Sequence, residues 1–316
     1  MTHTLTDAQS PLLVITGPTA SGKSGLAIEM AKQYNGEIIS ADSRQIYRGM
    51  DIGTGKVVRD IQAPSNIALS PKMQTLNLTP YFSEGIAHYL IDICEPNDAY
   101  NVTDFVRDAK MCIHDIRSRG KIPILCGGTG FWIQALLTGQ VFPPVPPNTQ
   151  LRKELANKTT NELFEQLKGL DERRSKTIDT HNRVRLIRAI EISLAIGKVP
   201  EISSSVDFEV MNKNIVLYAL TPPQTILHEK IHTRLHERLR TGMIEEVKRL
   251  HHNGISYEKL ESFGLEYKWI AWYLQQSITE QEMHEKLYFD IIHYAKRQIT
   301  WLKRFERQGA HIHYLL

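Results

Sequence analysis

The feature that most constrains this chain is a glycine-rich segment that follows a short apolar run near the N-terminus. Leu12 to Thr16 (LLVIT) has the β-branched composition of a buried strand, and a helical pattern begins near Lys23. Between them, residues 17–24 read GPTASGKS, which fits G-x-x-x-x-G-K-[ST]. This motif needs a strand before it and a helix after it to bind phosphate, and the sequence supplies both. A phosphate-binding loop (P-loop) is therefore predicted at the first turn of an α/β fold.

The residues of this loop have distinct expected roles. The glycines let backbone N–H groups turn toward phosphate oxygens, Lys23 reaches a terminal phosphate, and the Ser24 hydroxyl suits Mg²⁺. The candidate residues for diphosphate or nucleotide binding are Gly17, Pro18, Thr19, Ala20, Ser21, Gly22, Lys23 and Ser24. The motif does not say whose phosphate is bound, so ATP and other phosphate esters all remain open.

Further strand and helix patterns alternate along the first half of the chain. Strands are expected over residues 37–40, 88–93 and 122–126, and residues 58–86 have a loop-rich pattern. A helix is expected to follow residue 103, with Thr103 or Asp104 as its cap. This alternation predicts a parallel sheet with helices on both faces.

A change of composition near residue 143 predicts a domain boundary. Four prolines between residues 143 and 147 are followed by about 70 residues with only helical patterns, rich in arginine at their centre. A strand pattern over 215–220 then returns the chain to the sheet, and helices are expected from about residue 226 onward. The predicted fold is α/β: a P-loop NTPase-like parallel core, residues 1–142 and 214–316, interrupted by an all-helical insertion, residues 143–213.

Composition excludes several other classes of protein. The net charge is +3, and three cysteines without C-x-x-C spacing exclude a disulfide framework and a four-cysteine zinc site. No apolar run approaches the ~18 residues that would predict a membrane span. The first 17 residues lack the basic start and long apolar segment of a signal peptide. A soluble, cytoplasmic protein is expected.

Polar residues follow two of the predicted strands and should meet at one edge of the sheet. Asp42-Ser43-Arg44-Gln45 comes after the second strand, with Gly53-Thr54-Gly55-Lys56 close behind it. Gly127-Gly128-Thr129-Gly130 follows the fourth strand. Ligands of open α/β sheets bind at the carboxyl edge. An acid, an arginine, an amide and a hydroxyl at that edge suit a flat, hydrogen-bonding base. Asp42 also suits Mg²⁺, as a kinase would require.

Seven motifs, in their order and spacing, resemble the tRNA dimethylallyltransferases over residues 12–305: GPTASGKS, ADSRQIY, GTGK, HYLIDI, GGTGFW, NRVRLIRAIE and AKRQITW. The resemblance implies transfer of a five-carbon prenyl group from dimethylallyl diphosphate to N6 of adenosine 37, next to the tRNA anticodon. It also implies release of diphosphate, a requirement for Mg²⁺, and the anticodon stem-loop as partner of an enzyme expected to be monomeric.

The resemblance further implies roles for individual residues. Asp42 would accept the proton of the adenine amine, with Lys23, Thr129 and Arg234 as further catalytic residues. The implied tRNA contacts are Asp42, Ser43, Arg44, Gln45, Thr129, Arg152, Arg185 and Arg188. The last three lie in the helical insertion, residues 143–213, which the resemblance therefore implies to be tRNA-binding. The basic helix that begins near Lys296 and includes Gln298 is expected to contact RNA backbone. A small-molecule kinase and an RNA-binding NTPase without covalent chemistry remain the alternatives.

Overall fold

A computed structural model gives the fold of residues 10–62, 69–201 and 208–316. Its sheet has seven strands in the order β3-β4-β2-β5-β1-β6-β7, and every pair is parallel except β3 with β4. The strands are β1 Leu12–Thr16, β2 Gly36–Ser40, β3 Tyr81–Ser83, β4 Ile86–Tyr89, β5 Ile122–Gly127, β6 Ile215–Leu220 and β7 Ile312–Leu315. The predicted α/β class with a mostly parallel sheet is confirmed.

Fourteen helices accompany these strands in the part of the chain that the structure describes. They are α1 Lys23–Tyr34, α2 Pro71–Thr75, α3 Val102–Ser118, α4 Gly130–Leu137, α5 Thr149–Leu155, α6 Thr160–Leu170, α7 Glu172–Ser175, α8 Arg183–Ile196, α9 Phe208–Asn214, α10 Gln224–Arg240, α11 Met243–His252, α12 Tyr257–Phe263, α13 Leu265–Leu274 and α14 Glu280–Arg307. None of the described helices is long and apolar enough to cross a bilayer.

The sheet is buried because its strands are apolar on both faces. Every residue of β1, β2 and β5 is buried, as expected for a parallel sheet covered by helices. One apolar cluster includes Val14, Ile39 and Leu125, and a second includes Ile15, Ile38 and Ile124. Alternate residues of the same strands thus supply the cores above and below the sheet.

Several local predictions differ from the structure. The strand expected over 88–93 is β4, which ends at Tyr89 because Leu90 and Asp92 adopt left-handed backbone angles that extended structure does not allow. Helix α3 is capped by Asn101, whose side chain accepts the N–H of Thr103, while Asp104 completes the capping box.

Two segments for which no strand was predicted contain strands in the structure. The excursion over 58–86 contains α2, β3 and the start of β4, and its residues 63–68 lie outside the described residues. The C-terminal segment is not helical throughout, since β7 pairs in parallel with β6. The first nine residues, where a signal peptide was not expected, also lie outside the described part.

The chain divides into two compact units, Met1–Gly139 with Val206–Leu316, and Gln140–Ser205. The second unit contains α5 to α8 and has its own apolar cluster, to which α5, α6 and α8 contribute Leu155, Leu163, Leu167, Leu186, Ala189 and Ile190. A role of this unit in binding tRNA stays a prediction.

Candidate active site

The glycine-rich loop forms the predicted strand–loop–helix arrangement. It connects the end of β1 to α1, which begins at Lys23. Gly17 is required at the start of the loop because a Cβ atom there would lie 2.4 Å from the carbonyl oxygen of Leu220. The Ser21 hydroxyl is buried and has no hydrogen-bond partner among the described residues. An unsatisfied buried hydroxyl in this loop is the kind of group that a bound phosphate oxygen would satisfy.

Partly buried cations lie close together at the loop. Burial lowers the pKa of Lys23, and the nearby Arg234 and Arg238 lower it further. Burial also lowers the pKa of Arg234 to about 10, and its guanidinium donates to the Thr19 hydroxyl. Crowded and desolvated positive charges of this kind are stabilised by an anion. The site therefore favours a polyanionic ligand at the P-loop.

Arg238 is a basic residue of the site that sequence reasoning did not single out. It follows Arg234 by four residues on α10, so both project from one face of the helix. Its Nη1 lies 3.3 Å from a carboxylate oxygen of Glu266. Burial raises the pKa of Glu266, and the neighbouring Arg238 opposes that effect. The i, i+4 spacing of the two arginines was a usable signal, whereas the partner from α13 was not visible in the sequence.

Asp42 stands directly after β2, at the carboxyl edge of the sheet. Its Oδ1 accepts the backbone N–H groups of Arg44, at 2.9 Å, and Gln45, at 3.4 Å. These two bonds fix the orientation of the carboxylate relative to the loop that follows. Asp42 lines two adjacent cavities, one of about 70 Å³ that also contains Lys23, Ser24 and Arg234, and one of about 390 Å³.

The larger cavity has a different character from the P-loop cavity. Its lining includes Phe263, Tyr267 and Tyr294, together with Ser43 and Arg44. Aromatic faces with a few polar groups suit an unstacked nucleic-acid base. Asp42 and Thr19 line both cavities, so a group bound at the P-loop and a group bound among the aromatics would meet beside the Asp42 carboxylate.

Thr129 lies in the same edge, as predicted. Its Oγ1 accepts the backbone N–H of Ser43 at 3.1 Å, and its own N–H donates to Ala41 at 3.2 Å. The turn after β5 is thereby joined to the turn after β2. Asp42, Ser43, Thr129 and the P-loop are thus brought together by the ends of three neighbouring strands.

The other polar residues predicted to bind a base, Arg44, Gln45 and Lys56, form hydrogen bonds or ion pairs within the protein. The Arg44 Nε donates to the Phe263 carbonyl, and the Gln45 amide donates to the carbonyls of Thr54 and Gly55. Lys56 does not face the site, because its ammonium is nearly fully buried between Asp51 and Asp92. That lysine holds a loop in place.

The basic helix near the C-terminus is part of α14, and the prediction that it contacts RNA backbone does not fit Gln298. Gln298 is 7% exposed and points inward, where it bonds to the P-loop and to the loop after β5. It shares a face with Ile291, Ala295 and Leu302, which form the buried stripe of α14. This spacing of apolar residues is a signal that could have placed Gln298 inside the fold, away from RNA.

Two of the three arginines of the helical unit that are predicted to contact RNA are paired within that unit. Arg152 forms a two-pronged ion pair with Glu191, at 2.6 and 2.9 Å, and Arg188 binds the same carboxylate at 3.1 Å. Burial raises the pKa of Glu191, but hydrogen bonds from Arg152 and from the Asn148 N–H outweigh it and lower the pKa overall. Arg185 is exposed, and no side-chain hydrogen bond holds it within the described residues.

The residues that could hold Mg²⁺ supply oxygen donors only. No group of three or more His, Cys, Asp or Glu side chains within residues 10–62, 69–201 and 208–316 could hold a metal ion. Mg²⁺ is commonly bound through one or two protein oxygens together with substrate phosphates. The Ser24 hydroxyl, which lines the P-loop cavity, fits that mode.

The fold and the site define an enzyme of the P-loop α/β class with a carboxylate between an anion site and an aromatic cavity. A family model described as IPP transferase matches residues 71–305, and one described as isopentenyl transferase matches residues 10–67. The chain is 40% identical over 311 residues to tRNA dimethylallyltransferase 1 of Geotalea uraniireducens, covering 96% of this chain and 92% of the relative. The chain therefore belongs to the tRNA dimethylallyltransferase family and is a prenyltransferase.

Other relatives and solved structures agree with this assignment. The chain is 39% identical to tRNA dimethylallyltransferase 2 of Treponema denticola, covering 96% and 95% of the two chains. It matches the crystal structure of a tRNA isopentenylpyrophosphate transferase from Staphylococcus epidermidis with 35% identity, a TM-score of 0.63 and coverage of 97% and 93%. A eukaryotic dimethylallyltransferase structure, at 23% identity and a TM-score of 0.74, shares the fold and covers 96% of this chain and 74% of that one.

Proposed function

We propose that this enzyme transfers a dimethylallyl group from dimethylallyl diphosphate to N6 of adenosine 37 in the anticodon stem-loop of tRNA. The observation that carries the proposal is the position of Asp42, which lines both the P-loop cavity and the aromatic cavity. A diphosphate in the first and an adenine in the second would bring the allylic carbon and the amine together beside one carboxylate. Family membership supports the reaction class and the nature of the acceptor.

The donor half of the site stabilises a leaving group. As the allylic C–O bond breaks, its electron pair leaves with the diphosphate, and negative charge grows on the phosphate oxygens. Lys23, Arg234 and the loop N–H groups are already arranged in a partly buried site to receive that charge. Mg²⁺, when held by Ser24 and the diphosphate, supplies further neutralisation of the phosphate charge.

The acceptor half of the site must remove a proton. The lone pair of the adenine amine forms the new C–N bond to the allylic carbon, and one N–H proton then has to leave. Asp42 is the carboxylate that lines both cavities, and its orientation is fixed by two backbone N–H groups. A positioned base of this kind typically contributes ~10²–10⁴-fold to the rate. The proton is transferred to the Asp42 carboxylate.

The helical unit is proposed to bind the RNA backbone. Arg185 is exposed at the N-terminal end of α8, where helix geometry favours phosphate groups. Arg152 and Arg188 are engaged by Glu191, so they would contact RNA only with their remaining donors. We place the enzyme in the cytoplasm, where tRNA is available, and we expect it to act as a monomer.

The experiment is to mix the protein with tRNA and dimethylallyl diphosphate labelled in its carbon chain, then to digest the RNA and identify the labelled nucleoside. Label at N6 of adenosine 37 supports the proposal. ATP consumption without labelled RNA would favour the kinase or NTPase alternatives. A tRNA with adenosine 37 replaced by guanosine serves as the matched control and should stay unlabelled.

A further inference from the structure

One buried side-chain amide connects the P-loop to the loop after β5, whose relative position matters for the proposed reaction. The Gln298 side chain extends from α14 and is 7% exposed. Its Oε1 accepts the backbone N–H of Thr19, in the P-loop, at 2.7 Å. Its Nε2 donates to the carbonyl of Gly128, in the loop after β5, at 2.9 Å. The oxygen and the nitrogen of the amide are therefore both hydrogen-bonded, and they connect the loops that follow two different strands, β1 and β5.

The loop after β5 is shaped to admit this side chain. A Cβ atom at Gly128 would lie 2.2 Å from the Gln298 Nε2, so glycine is needed for the close approach. The residue that follows is Thr129, which binds the Ser43 N–H in the turn that carries Asp42. A displacement of Gly128 would therefore be transmitted to the acceptor side of the site.

The other end of the amide acts on the donor side. Thr19 lines both cavities, and its hydroxyl is the group to which Arg234 donates. Its backbone N–H is occupied by Gln298, so this loop amide is not free to bind a phosphate oxygen. Gln298 thus fixes the conformation of the loop at the position where the two cavities meet.

We propose that Gln298 is a positioning residue that sets the spacing between the diphosphate cradle and the loop carrying Thr129. The inference rests on the proposed function, because the spacing matters when a donor and an acceptor react between these loops. A misplacement of about 1 Å in a reacting pair commonly costs ~10²-fold in rate. Loss of the clamp should consequently slow the chemical step while leaving the binding of each substrate largely intact.

The test compares three variants. Gln298→Met keeps the length of the side chain but makes neither hydrogen bond, and Gln298→Glu keeps an acceptor for Thr19 but loses the donor to Gly128. Gln281→Met is the matched control, since Gln281 is an exposed glutamine of the same helix whose side chain donates to Glu285. Single-turnover prenyl transfer, affinity for inorganic pyrophosphate and affinity for tRNA are measured for each.

We expect Gln298→Met to lower the single-turnover rate by roughly 10–10²-fold, with both affinities within about threefold of wild type. Gln298→Glu should lose at least as much, because its carboxylate would face the Gly128 carbonyl in a buried position, and Gln281→Met should equal wild type. An unchanged rate in Gln298→Met would overturn the proposal. So would a rate loss matched by equal losses of pyrophosphate and tRNA affinity, which would indicate a general collapse of the site.

Amide hydrogen exchange tests the clamp separately from the reaction. Gln298→Met should increase exchange in peptides spanning residues 17–24 and 127–130 by about tenfold or more, and leave those of the helical unit unchanged. If Gln298→Met exchanges faster but wild-type protein does not prenylate tRNA, the proposed function is refuted and the clamp by Gln298 still holds. Unchanged exchange would refute the clamp, whichever reaction the enzyme catalyses.

Discussion

Replacing Lys23 with methionine should separate stability from catalysis. Lys23 is half-buried in the P-loop, and within the described residues its ammonium makes one hydrogen bond, at 3.4 Å, to the Pro18 carbonyl. Burial and two neighbouring arginines lower its pKa, which means that the folded state disfavours the charged form. Methionine has a similar length and carries no charge. The variant should therefore be more stable than wild type when no ligand is bound.

The expected gain is on the order of 1–3 kcal/mol, the scale for removing a poorly compensated buried charge. For a chain of this size that corresponds to a rise in Tm of about 2–6 °C. The gain should shrink as the pH approaches 10.5, the ordinary pKa of lysine. At that pH the unfolded wild-type chain also loses its proton, so the folded state is no longer at a disadvantage.

Catalysis should change in the opposite direction. The loss of one preorganised cation from the leaving-group site should lower kcat/KM by roughly 10²–10³-fold. Thermal unfolding and single-turnover prenyl transfer measure the two effects on one preparation. Lys32→Met on the same helix is the control, because Lys32 is half exposed and pairs with Glu84. It should change neither quantity appreciably. A Lys23→Met protein that is less stable than wild type, or equally active, would refute the reasoning.

Three further predictions follow from the site and the helical unit. Glu191→Gln should destabilise the helical unit by about 1–3 kcal/mol at pH 7, since it removes the charge of a buried carboxylate that pairs with the partly exposed Arg152 and Arg188; urea unfolding measures this. Because the folded pKa of Glu191 is lowered, that difference should disappear as the pH falls below 4.5 and through the folded pKa. Arg185→Ala should weaken tRNA binding and reduce its log–log salt slope by somewhat less than one, without changing Tm; an unchanged slope would remove Arg185 from the interface. Inorganic pyrophosphate should raise the Tm of wild type more than that of Lys23→Met, because a bound anion relieves the repulsion between Lys23 and the neighbouring arginines.

Much of the site could be predicted because its geometry is local. The P-loop needs only consecutive residues between a strand and a helix, and the positions of Asp42 and Thr129 follow from their places after parallel strands. Strands β1 and β6 have their predicted bounds for the same reason, since short apolar runs stop at glycine or proline.

What could not be predicted depends on residues far apart in the sequence. Glu191 engages Arg152 across 39 positions, and Gln298 reaches Thr19 across 279. The sequence alone identifies Glu191 and Gln298 as an acid and an amide within helical patterns, and does not reveal their distant partners. Strand β7 was missed because its pattern is half polar and its partner β6 is distant in sequence. Periodicity along α14 did carry a signal for Gln298, which lies on the buried stripe.

The central claim is that Asp42 accepts the proton of the adenine amine between the two cavities, and Asp42→Asn tests it most directly. Asparagine keeps the size and the acceptor for the Arg44 and Gln45 N–H groups, but it cannot take up the proton at neutral pH. The single-turnover rate of prenyl transfer should fall by ~10²–10⁴-fold, with little change in the affinities for tRNA and for dimethylallyl diphosphate. Excess Mg²⁺ should not restore it. Recovery of the rate at high Mg²⁺ would show that Asp42 serves as a metal ligand, and would contradict the account.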